Sequence, residues 1–181
     1  MPKAFTKVEA ILRVPSTAAD GQKSPIAVKI LEDGRCIGEF NGSANTLAGK
    51  VTDSFRDDFK TLQWKTEGEL KLESKAWHAE LFTPAGHVDA MTSEWMVMDC
   101  SKPMRCMVKT SAVQGEWCLQ LDDGKTTQYL IGDTRTQGDK EGDFSLLNLN
   151  GLQRFRLRFL AIARPGDCRI GLEEISITPK N

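Results

Sequence analysis

Apolar and polar residues alternate along most of this chain, and a period of two is the pattern of a β-strand with one covered face. The clearest case is the run Gln153–Ala163, in which Phe155, Leu157 and Phe159 point one way and the arginines between them point the other. A strand with one apolar and one polar side suits an antiparallel sheet that faces water on one side. The pattern therefore predicts an all-β protein.

The alternating runs are short and are separated by turn residues about every 8–12 positions. We expect strands at these segments: Val8–Val14, Ile26–Leu31, Arg35–Phe40, Phe59–Lys65, Glu69–Glu73, Trp77–Phe82, Trp95–Met98, Arg105–Thr110, Trp117–Leu121, Thr127–Ile131, Phe144–Leu149, Gln153–Ala163 and Cys168–Thr178. Hairpins are predicted at three turns, namely Asp33-Gly34, Glu67-Gly68 and Asp122-Asp123-Gly124. The alternation of the last strand breaks at Glu173-Glu174, which predicts a β-bulge there.

This many short strands predict a two-sheet antiparallel β-sandwich or jelly roll. A single helical turn is the most that the segment from Ser43 to Lys60 allows, because it holds Gly49 and several β-branched residues. With no repeat, low-complexity tract or linker-like stretch, residues 1–181 are expected to form one domain. That domain is either complete in itself or cut from a longer polypeptide.

Charge and hydropathy exclude several partners. The chain has 24 Lys and Arg against 25 Asp and Glu, a net charge of −1, and 40% hydrophobic residues. That balance excludes disorder as the main state and disfavours nucleic acid bound by bulk electrostatics. The longest apolar run, Phe159–Ala163, is far shorter than the roughly 20 residues of a membrane span. No signal peptide is visible at the start, which fits a cytoplasmic protein and equally a module of a longer secreted or cell-surface one.

The cysteines point to no metal site. There are five, with no C-x-x-C pair, and only two histidines, His78 and His87, are present. We expect most of the thiols to be small buried hydrophobic groups. A short disulfide between Cys100 and Cys106 is the alternative that the spacing allows.

No catalytic arrangement emerges from the residues. Paired carboxylates at i and i+2 within a clean strand, which an acid–base hydrolase on a sandwich would need, do not occur. Neither histidine lies in a nucleophile motif, and His78 is expected to point outward from its strand. A small β-sandwich hydrolase or lyase would need groups brought together in space, such as His78 with Tyr129.

Four tryptophans against one tyrosine is an unusual ratio. Trp77 and Trp117 are in phase with inward positions of their strands and are predicted in the core. Trp64 precedes a turn, and Trp95 opens a strand just after the polar stretch Thr92-Ser93-Glu94, so these two are better placed to reach solvent. An exposed indole beside amides and carboxylates suits a sugar, since the ring stacks on apolar C–H groups while polar groups bind hydroxyls. We take as candidate ligand-binding residues Trp64, Trp95, Trp77, Trp117, Tyr129, Asp133 and Arg135.

Three arginines, Arg154, Arg156 and Arg158, share one face of the longest strand. Guanidinium groups in such a row bind carboxylate, sulfate or phosphate through paired hydrogen bonds. The alternative is a solvated outer face in which they pair with acidic residues of neighbouring strands. Both interpretations place the row on the outside of the sandwich.

The end of the chain resembles a known family. The residues that carry the resemblance are Gly115–Gly124, Gly151-Leu152, Phe155–Phe159, the turn Pro165-Gly166-Asp167 and Arg169–Ile177. They are similar to the closing strands of galactose-binding-domain-like jelly rolls, many of which are carbohydrate-binding modules. The resemblance implies a non-catalytic module that binds polysaccharide or oligosaccharide, works as a monomer within a larger enzyme and requires no cofactor for chemistry.

Modules of this family often hold a structural Ca²⁺ between the first and last strands. The resemblance maps that site onto Glu9 on the first strand and onto Glu173 or Glu174 at the bulge. Calcium takes six to eight oxygen ligands, so two carboxylates would be a partial set. The competing hypothesis for the whole chain is an intracellular interaction or assembly domain on the same sandwich, which would expose a flat apolar patch or an edge strand.

Overall fold

The computed structural model describes residues 23–32, 34–45, 50–147, 149 and 151–180. The chain divides into two compact units, Met1–Ala48 and Gly49–Asn181, and each is described by itself. The expected single domain over residues 1–181 stays a prediction. The predicted strand Val8–Val14, with Glu9, lies outside the described residues.

Within the described residues of the first unit, β1 (Lys23–Glu32) and β2 (Arg35–Asn45) form an antiparallel hairpin. Its turn holds Gly34 with a φ of +77°, a backbone angle that residues other than glycine rarely adopt. The hairpin predicted at Asp33-Gly34 is confirmed by this pairing.

The second unit is a sandwich of two sheets, and its strands are β3 (Lys50–Val51), β4 (Phe55–Asp57), β5 (Lys65–Glu67), β6 (Lys71–Ser74), β7 (Ala79–Thr83), β8 (Val88–Thr92), β9 (Met96–Asp99), β10 (Met104–Gln114), β11 (Glu116–Asp122), β12 (Thr127–Thr134), β13 (Gly138–Asp143), β14 (Leu152–Ile162) and β15 (Cys168–Pro179). The first sheet has the order β12-β11-β14-β8-β5, with β9 beside the start of β14 and β3 beside β9. The second has the order β13-β10-β15-β7-β6, with β4 beside the end of β15. Every described pair is antiparallel except β3 with β9. The predicted all-β sandwich is confirmed.

The core lies between the two sheets and is built from the alternating residues of the long strands. On β14 the inward residues Phe155, Leu157, Phe159 and Ala161 are completely buried, as the period of two predicts. On β15 the predicted bulge is confirmed, because Glu174 pairs with Lys109 of β10 while Leu172 pairs with Thr110. Glu173 is therefore the extra residue of the bulge. The inward-facing positions continue from Leu172 at Ile175 and not at Glu174.

Three local predictions were wrong. The predicted strand Phe59–Lys65 is strand only at Lys65, the first residue of β5, and Phe59 has a φ of +57°, which is incompatible with an extended strand. The segment around Glu67-Gly68 is no hairpin, because β5 pairs with β8 in the first sheet and β6 with β7 in the second. Alternation and a glycine turn cannot distinguish a hairpin from a crossing between sheets. The predicted strand Phe144–Leu149 is instead a 3-10 helix at Phe144–Leu147. It is the one helical element of the described residues, and it lies elsewhere than the turn allowed between Ser43 and Lys60.

Candidate functional site

The outward side of the first sheet carries a row of polar side chains. On β14 the arginines alternate with the buried Phe155, Leu157 and Phe159 and so point away from the core. Strand pairing places Gln120 of β11 opposite Arg158, and Tyr129 of β12 opposite Gln120. Residues paired across antiparallel strands project to the same side of a sheet. We call this surface the arginine face, defined by these residues: Trp95, Gln120, Asp122, Tyr129, Arg154, Arg156 and Arg158.

Two ion pairs hold the arginines of this face in place. Arg156 Nε donates to Asp122 Oδ2 at 2.8 Å, and Arg158 Nη2 donates to Glu67 Oε2 at 3.0 Å. Asp122 is buried, and its other oxygen accepts the backbone N–H of Gly124 at 2.8 Å. Each guanidinium has five N–H donors, so one ion pair leaves others for a ligand. For Arg156 and Arg158 the ion pairs confirm the interpretation of an outer face paired with acidic residues of neighbouring strands.

Trp95 lies against the other end of the arginine row. The guanidinium carbon of Arg154 is 3.6 Å from the centre of its ring, and that of Arg156 is 5.0 Å away. Both distances are those of a cation–π contact. Trp95 is half-buried, so the prediction that it reaches solvent is confirmed, although a guanidinium already covers part of its ring.

Gln120 is the residue of this face with an unmet hydrogen-bonding group. Its side chain is only 6% exposed, and its Oε1 has no hydrogen-bond partner among the described residues. A buried amide oxygen without a partner costs stability, on the order of 1–3 kcal/mol. Beside it stands the Tyr129 ring, which is 59% exposed. An exposed aromatic ring thus stands next to a buried amide oxygen that has no hydrogen-bond partner among the described residues.

The candidate residues Asp133 and Arg135 lie at the edge of the same sheet, Asp133 within β12 and Arg135 directly after it. Asp133 is exposed near the end of β12, and its charge contributes to raising the pKa of the Cys118 thiol, which locates it close to β11. Arg135 forms an ion pair with Glu116, the first residue of β11. Both residues thus lie at the far end of the β11–β12 pair from the Gly124 turn.

Trp64 and Trp95 line a common cleft of about 340 Å³. Its other lining groups are polar side chains and a few apolar ones: Thr52, Ser54, Phe55, Arg56, Asp57, Asp58, Thr61, Gln63, Ser93, Glu94 and Met96. The solvent position predicted for Trp64 was wrong, since it is 7% exposed and its indole N–H donates to Asp57 Oδ2 at 2.7 Å. Phe55 and Phe59 pack against its ring, which explains its burial.

The other two tryptophans, Trp117 and Trp77, differ in burial, and each lies outside the cleft. Trp117 is completely buried and stacks on Phe159, with ring centres 5.2 Å apart, so its predicted core position is confirmed and it cannot contact a ligand. Trp77 is 88% exposed, and its predicted core position was wrong. The strand predicted from Trp77 begins at Ala79, which leaves Trp77 in the connection before it. The alternation that Trp77 shares with Ala79 and Leu81 predicts which side a residue faces only within a strand, and Trp77 lies outside it.

The calcium ligands that the resemblance implies are not brought together within the described residues. Glu173 is exposed at the bulge, whereas Glu174 forms an ion pair with Arg56 at 2.8 Å. In that part of the chain no three His, Cys, Asp or Glu side chains group around a possible ion position. Glu9 lies outside it, so the calcium site stays a prediction.

The buried thiols behave as predicted. Cys100, Cys106, Cys118 and Cys168 are buried and free, which excludes the alternative of a Cys100–Cys106 bond in this structure. Burial raises the pKa of Cys106 and of Cys118 to about 12. Such thiols are unreactive hydrophobic groups at neutral pH.

Sequence reasoning missed Gln120 and Asp122 as functional candidates. Both occupy outward positions of β11, Gln120 between the buried Leu119 and Leu121 and Asp122 directly after Leu121. The signal was available, since a buried strand with two polar outward residues beside an arginine row indicates a paired polar surface. Which strands lie beside one another, however, is decided by the fold.

Comparison with known proteins gives structural likeness alone. No protein-family model and no curated protein matches the chain. No helix within the described residues has the length and apolar character of a membrane span. The low-affinity xylan-binding module CBM86 from the gut symbiont Roseburia intestinalis is 13% identical, with 71% of this chain and 95% of that chain covered and a TM-score of 0.47.

Two further solved structures show the range of the likeness. The CBM22-1 xylan-binding domain of a Paenibacillus barcinonensis protein is 15% identical, covers 73% of this chain and 97% of its own, and has a TM-score of 0.47. A glycoside hydrolase domain, Endo-D of Streptococcus pneumoniae R6, is 12% identical and covers 72% of this chain but 28% of its own, with a TM-score of 0.45. Because these TM-scores lie below 0.5, we take function from the residues of this chain. The solved structures that it resembles are mostly carbohydrate-binding modules with a β-sandwich fold.

Proposed function

We propose that this chain is a non-catalytic carbohydrate-binding module and that the arginine face binds a polysaccharide or oligosaccharide chain. The observation that carries the proposal is the pair formed by Tyr129 and Gln120. An aromatic ring stands exposed on a rigid strand, and the neighbouring amide oxygen is buried without a partner. A sugar ring stacked on Tyr129 would lie beside Gln120, and rotation of the amide toward the surface would let its Oε1 accept a sugar hydroxyl.

The surrounding side chains include both hydrogen-bond donors and acceptors, which suits sugar hydroxyl groups better than an ion of one sign. Arg156 and Arg158 offer donors, and Asp122 and Glu67 offer acceptor oxygens, within one surface. The ion pairs fix these groups before a ligand arrives, so less side-chain freedom is lost on binding. The two rows, Gln120 with Arg158 and Asp122 with Arg156, are two residues apart, which is about 7 Å along the strands.

The face continues toward Trp95 and the cleft beside it. Trp95 touches the last arginine of the row and also lines the cleft with Trp64. A glycan chain that starts at Tyr129 would run past Asp122 and reach Trp95 at the cleft edge. Trp64 supports the cleft from below, since its ring is buried and its N–H is held by Asp57.

A hydrolase is the second candidate, because the cleft contains three carboxylates, Asp57, Asp58 and Glu94. Two of these carboxylates, Asp57 and Asp58, already accept hydrogen bonds from other residues. Asp57 accepts the Trp64 indole N–H at 2.7 Å and the Phe59 backbone N–H at 2.7 Å. Hydrogen bonds from Lys60 hold the pKa of Asp58 below its usual value, whereas a general acid in a glycosidase has a raised pKa. These contacts favour a binding site without catalytic activity. Such a module would be a monomeric accessory part of a secreted or cell-surface enzyme.

Affinity gel electrophoresis on xylan, β-1,3-1,4-glucan, laminarin and cellulose derivatives tests the proposal. We expect retardation on at least one of these gels, lost in Tyr129→Ala and kept in Tyr129→Phe, which retains the ring. Gln128→Ala, one position along the same strand, is the matched control and should migrate like the wild type.

Three outcomes would overturn the proposal. If no polysaccharide slows the migration of the protein, the proposed binding function is wrong. Release of reducing sugar from any of them establishes the hydrolase instead. A stable dimer in gel filtration that buries Tyr129 favours the alternative of an interaction domain.

A further inference from the structure

The outward side of the second sheet carries a groove of about 620 Å³, formed by β6, β7, β15 and β10. We call it the Arg169 groove and define it by five of its lining residues: Lys71, Phe82, Gln114, Arg169 and Gly171. The outer sides of two packed sheets face away from each other, so this groove lies on the other side of the sandwich from the arginine face. What it can bind depends on which of its charges are already paired.

Two cations flank an aromatic ring along one row of the groove. Strand pairing sets Lys71 of β6 opposite Phe82 of β7, and Phe82 opposite Arg169 of β15. The two cationic residues are therefore separated by two strand spacings, about 10 Å. The guanidinium carbon of Arg169 lies 4.6 Å from the centre of the Phe82 ring, and this cation–π contact orients the side chain. Gln114 of β10 continues the row beside Arg169 and adds an exposed amide.

The carboxylates of the groove are already paired, whereas its two cations are not. Glu73 and Glu80 face each other in the next row, and Lys75 Nζ contacts Glu73 Oε2 at 2.8 Å and Glu80 Oε2 at 3.5 Å. The hydrogen bond from Lys75 lowers the pKa of the Glu73 carboxyl, which is therefore ionised at neutral pH. Within the described part of the chain, neither Lys71 nor Arg169 has an ion-pair partner. The charge left for a ligand is positive.

The floor of the groove consists of two small residues, Gly171 of β15 and Ala112 of β10, which are paired across the sheet. A Cβ on Gly171 would lie 2.5 Å from Ser111 Oγ and 3.4 Å from His78 Cδ2. Glycine therefore keeps a space open beside these two side chains. Gly171 is two residues from Arg169 on the same strand, about 7 Å away. A ligand that lies on this floor can thus reach the guanidinium with a charged substituent.

We propose that the Arg169 groove binds the carboxylate of a uronic acid residue in an acidic glycan. A guanidinium presents paired N–H donors that match the two oxygens of a carboxylate, and Lys71 adds a second positive charge. That a sugar carries the carboxylate rests on the proposed function, while the residues of the groove are independent of the arginine face.

The two surfaces differ in the class of sugar that they suit. On the arginine face, Arg156 and Arg158 each pair with a carboxylate of the protein, so a ligand meets donors and acceptors together. In the Arg169 groove, the carboxylates are held by a lysine and the remaining cations await an anion. One module would therefore bind a neutral stretch of a polysaccharide on one sheet and an acidic residue on the other. Linked sites of this kind raise avidity without any stronger single contact.

Isothermal titration with trigalacturonate and with its methyl ester, which keeps the sugar rings and removes the charge, tests the proposal. We expect the wild type and Tyr129→Ala to bind the acid equally, and Lys71→Gln and Arg169→Gln to bind it about tenfold more weakly or worse. The wild type should bind the ester as weakly as these variants bind the acid. Lys102→Gln removes an exposed lysine at the far end of β10 from Gln114 and is the matched control, with unchanged affinity. Added salt should weaken binding of the acid, because it screens exposed charges.

Nuclear magnetic resonance locates the bound acid without any substitution. On addition of trigalacturonate to the wild type, the backbone amide signals of Gln114 and Gly171 should shift, while that of Gln120 on the arginine face should not.

Four outcomes decide the proposal. Equal affinity for the acid and the ester, or no binding of the acid, overturns the Arg169 groove and leaves the proposed function standing. Loss of acid binding in Tyr129→Ala, with shifts at Gln120, places the acidic sugar on the arginine face and also overturns the groove. A sulfated disaccharide that binds more tightly than trigalacturonate overturns the assignment to a uronic acid. Acid binding that is lost in Arg169→Gln, in a protein that no neutral polysaccharide retards, supports the groove and contradicts the arginine face.

Discussion

The guanidinium carbon of Arg154 lies 3.6 Å from the centre of the Trp95 ring, so a cation covers one side of this indole. The contact joins the first half of β14 to the residue that precedes β9. Trp95 therefore contributes to the arginine face through its remaining surface and by holding the arginines in position. In this respect it differs from Trp77, whose ring is open to solvent.

Arg154→Ala should uncover the Trp95 ring. We expect a loss of about 0.5–1 kcal/mol in unfolding free energy, the usual size of a cation–π contact near the surface. Iodide quenching of the folded protein should increase, because a further indole surface becomes accessible. The comparison is Arg154→Lys, which keeps the charge, and equal quenching of wild type and Arg154→Ala would contradict the contact.

Gln120→Leu should separate stability from binding. The substitution removes a buried oxygen that has no partner among the described residues, so the urea midpoint should stay equal or rise. Loss of one hydrogen bond to the sugar should weaken binding about two- to tenfold. A variant that loses stability and keeps its affinity would show that Gln120 is a structural residue. Gln120→Asn, which shortens the side chain and keeps the amide, is the comparison variant.

Trp117→Ala and Trp77→Ala should differ greatly in their effect on folding. Trp117 is completely buried against Phe159, and truncation of such a residue costs about 3–5 kcal/mol. Trp77 is exposed, and its removal should change the unfolding free energy by less than about 0.5 kcal/mol. Chemical denaturation of the two variants side by side measures the difference, and similar losses would refute the assignment of Trp77 to the surface.

The buried thiols predict a fall in stability at high pH. Burial raises the pKa of Cys106 from 9.0 to about 12 and that of Cys168 to about 11. Above pH 9 the unfolded chain releases these protons while the folded chain keeps them, so the folded state loses its advantage as pH rises toward 11 or 12. Urea midpoints at pH 8 and pH 10.5 should show the fall, with a smaller fall in Cys106→Ala. An identical slope in the variant would contradict this origin.

The same burial predicts which thiol reacts. Cys36 is exposed, and the other four cysteines are buried. Iodoacetamide at pH 8 should therefore label one thiol in the folded protein and five in urea. Labelling of a second thiol without denaturant would show that a buried cysteine is accessible.

The alternation of residues along β11, β14 and β15 was enough to predict the sandwich, its inward residues and the bulge at Glu173. These follow from the sequence because successive side chains of a strand point to opposite sides whatever its neighbours are. Alternation failed at Trp77, and proximity to a turn wrongly predicted that the Trp64 ring reaches solvent. Trp77 lies just outside its strand, and Trp64 finds a cover of phenylalanines and an acceptor in Asp57 that no local pattern reveals.

The candidate surfaces depended on tertiary structure. Arg158, Gln120 and Tyr129 are separated in the sequence, and only the pairing of β14, β11 and β12 sets them side by side. The sequence by itself determined the strands and the side of each strand that is buried, since that is a local property of an alternating chain. Which strands become neighbours is set by long-range packing, and that packing alone decided which polar and aromatic groups share a surface.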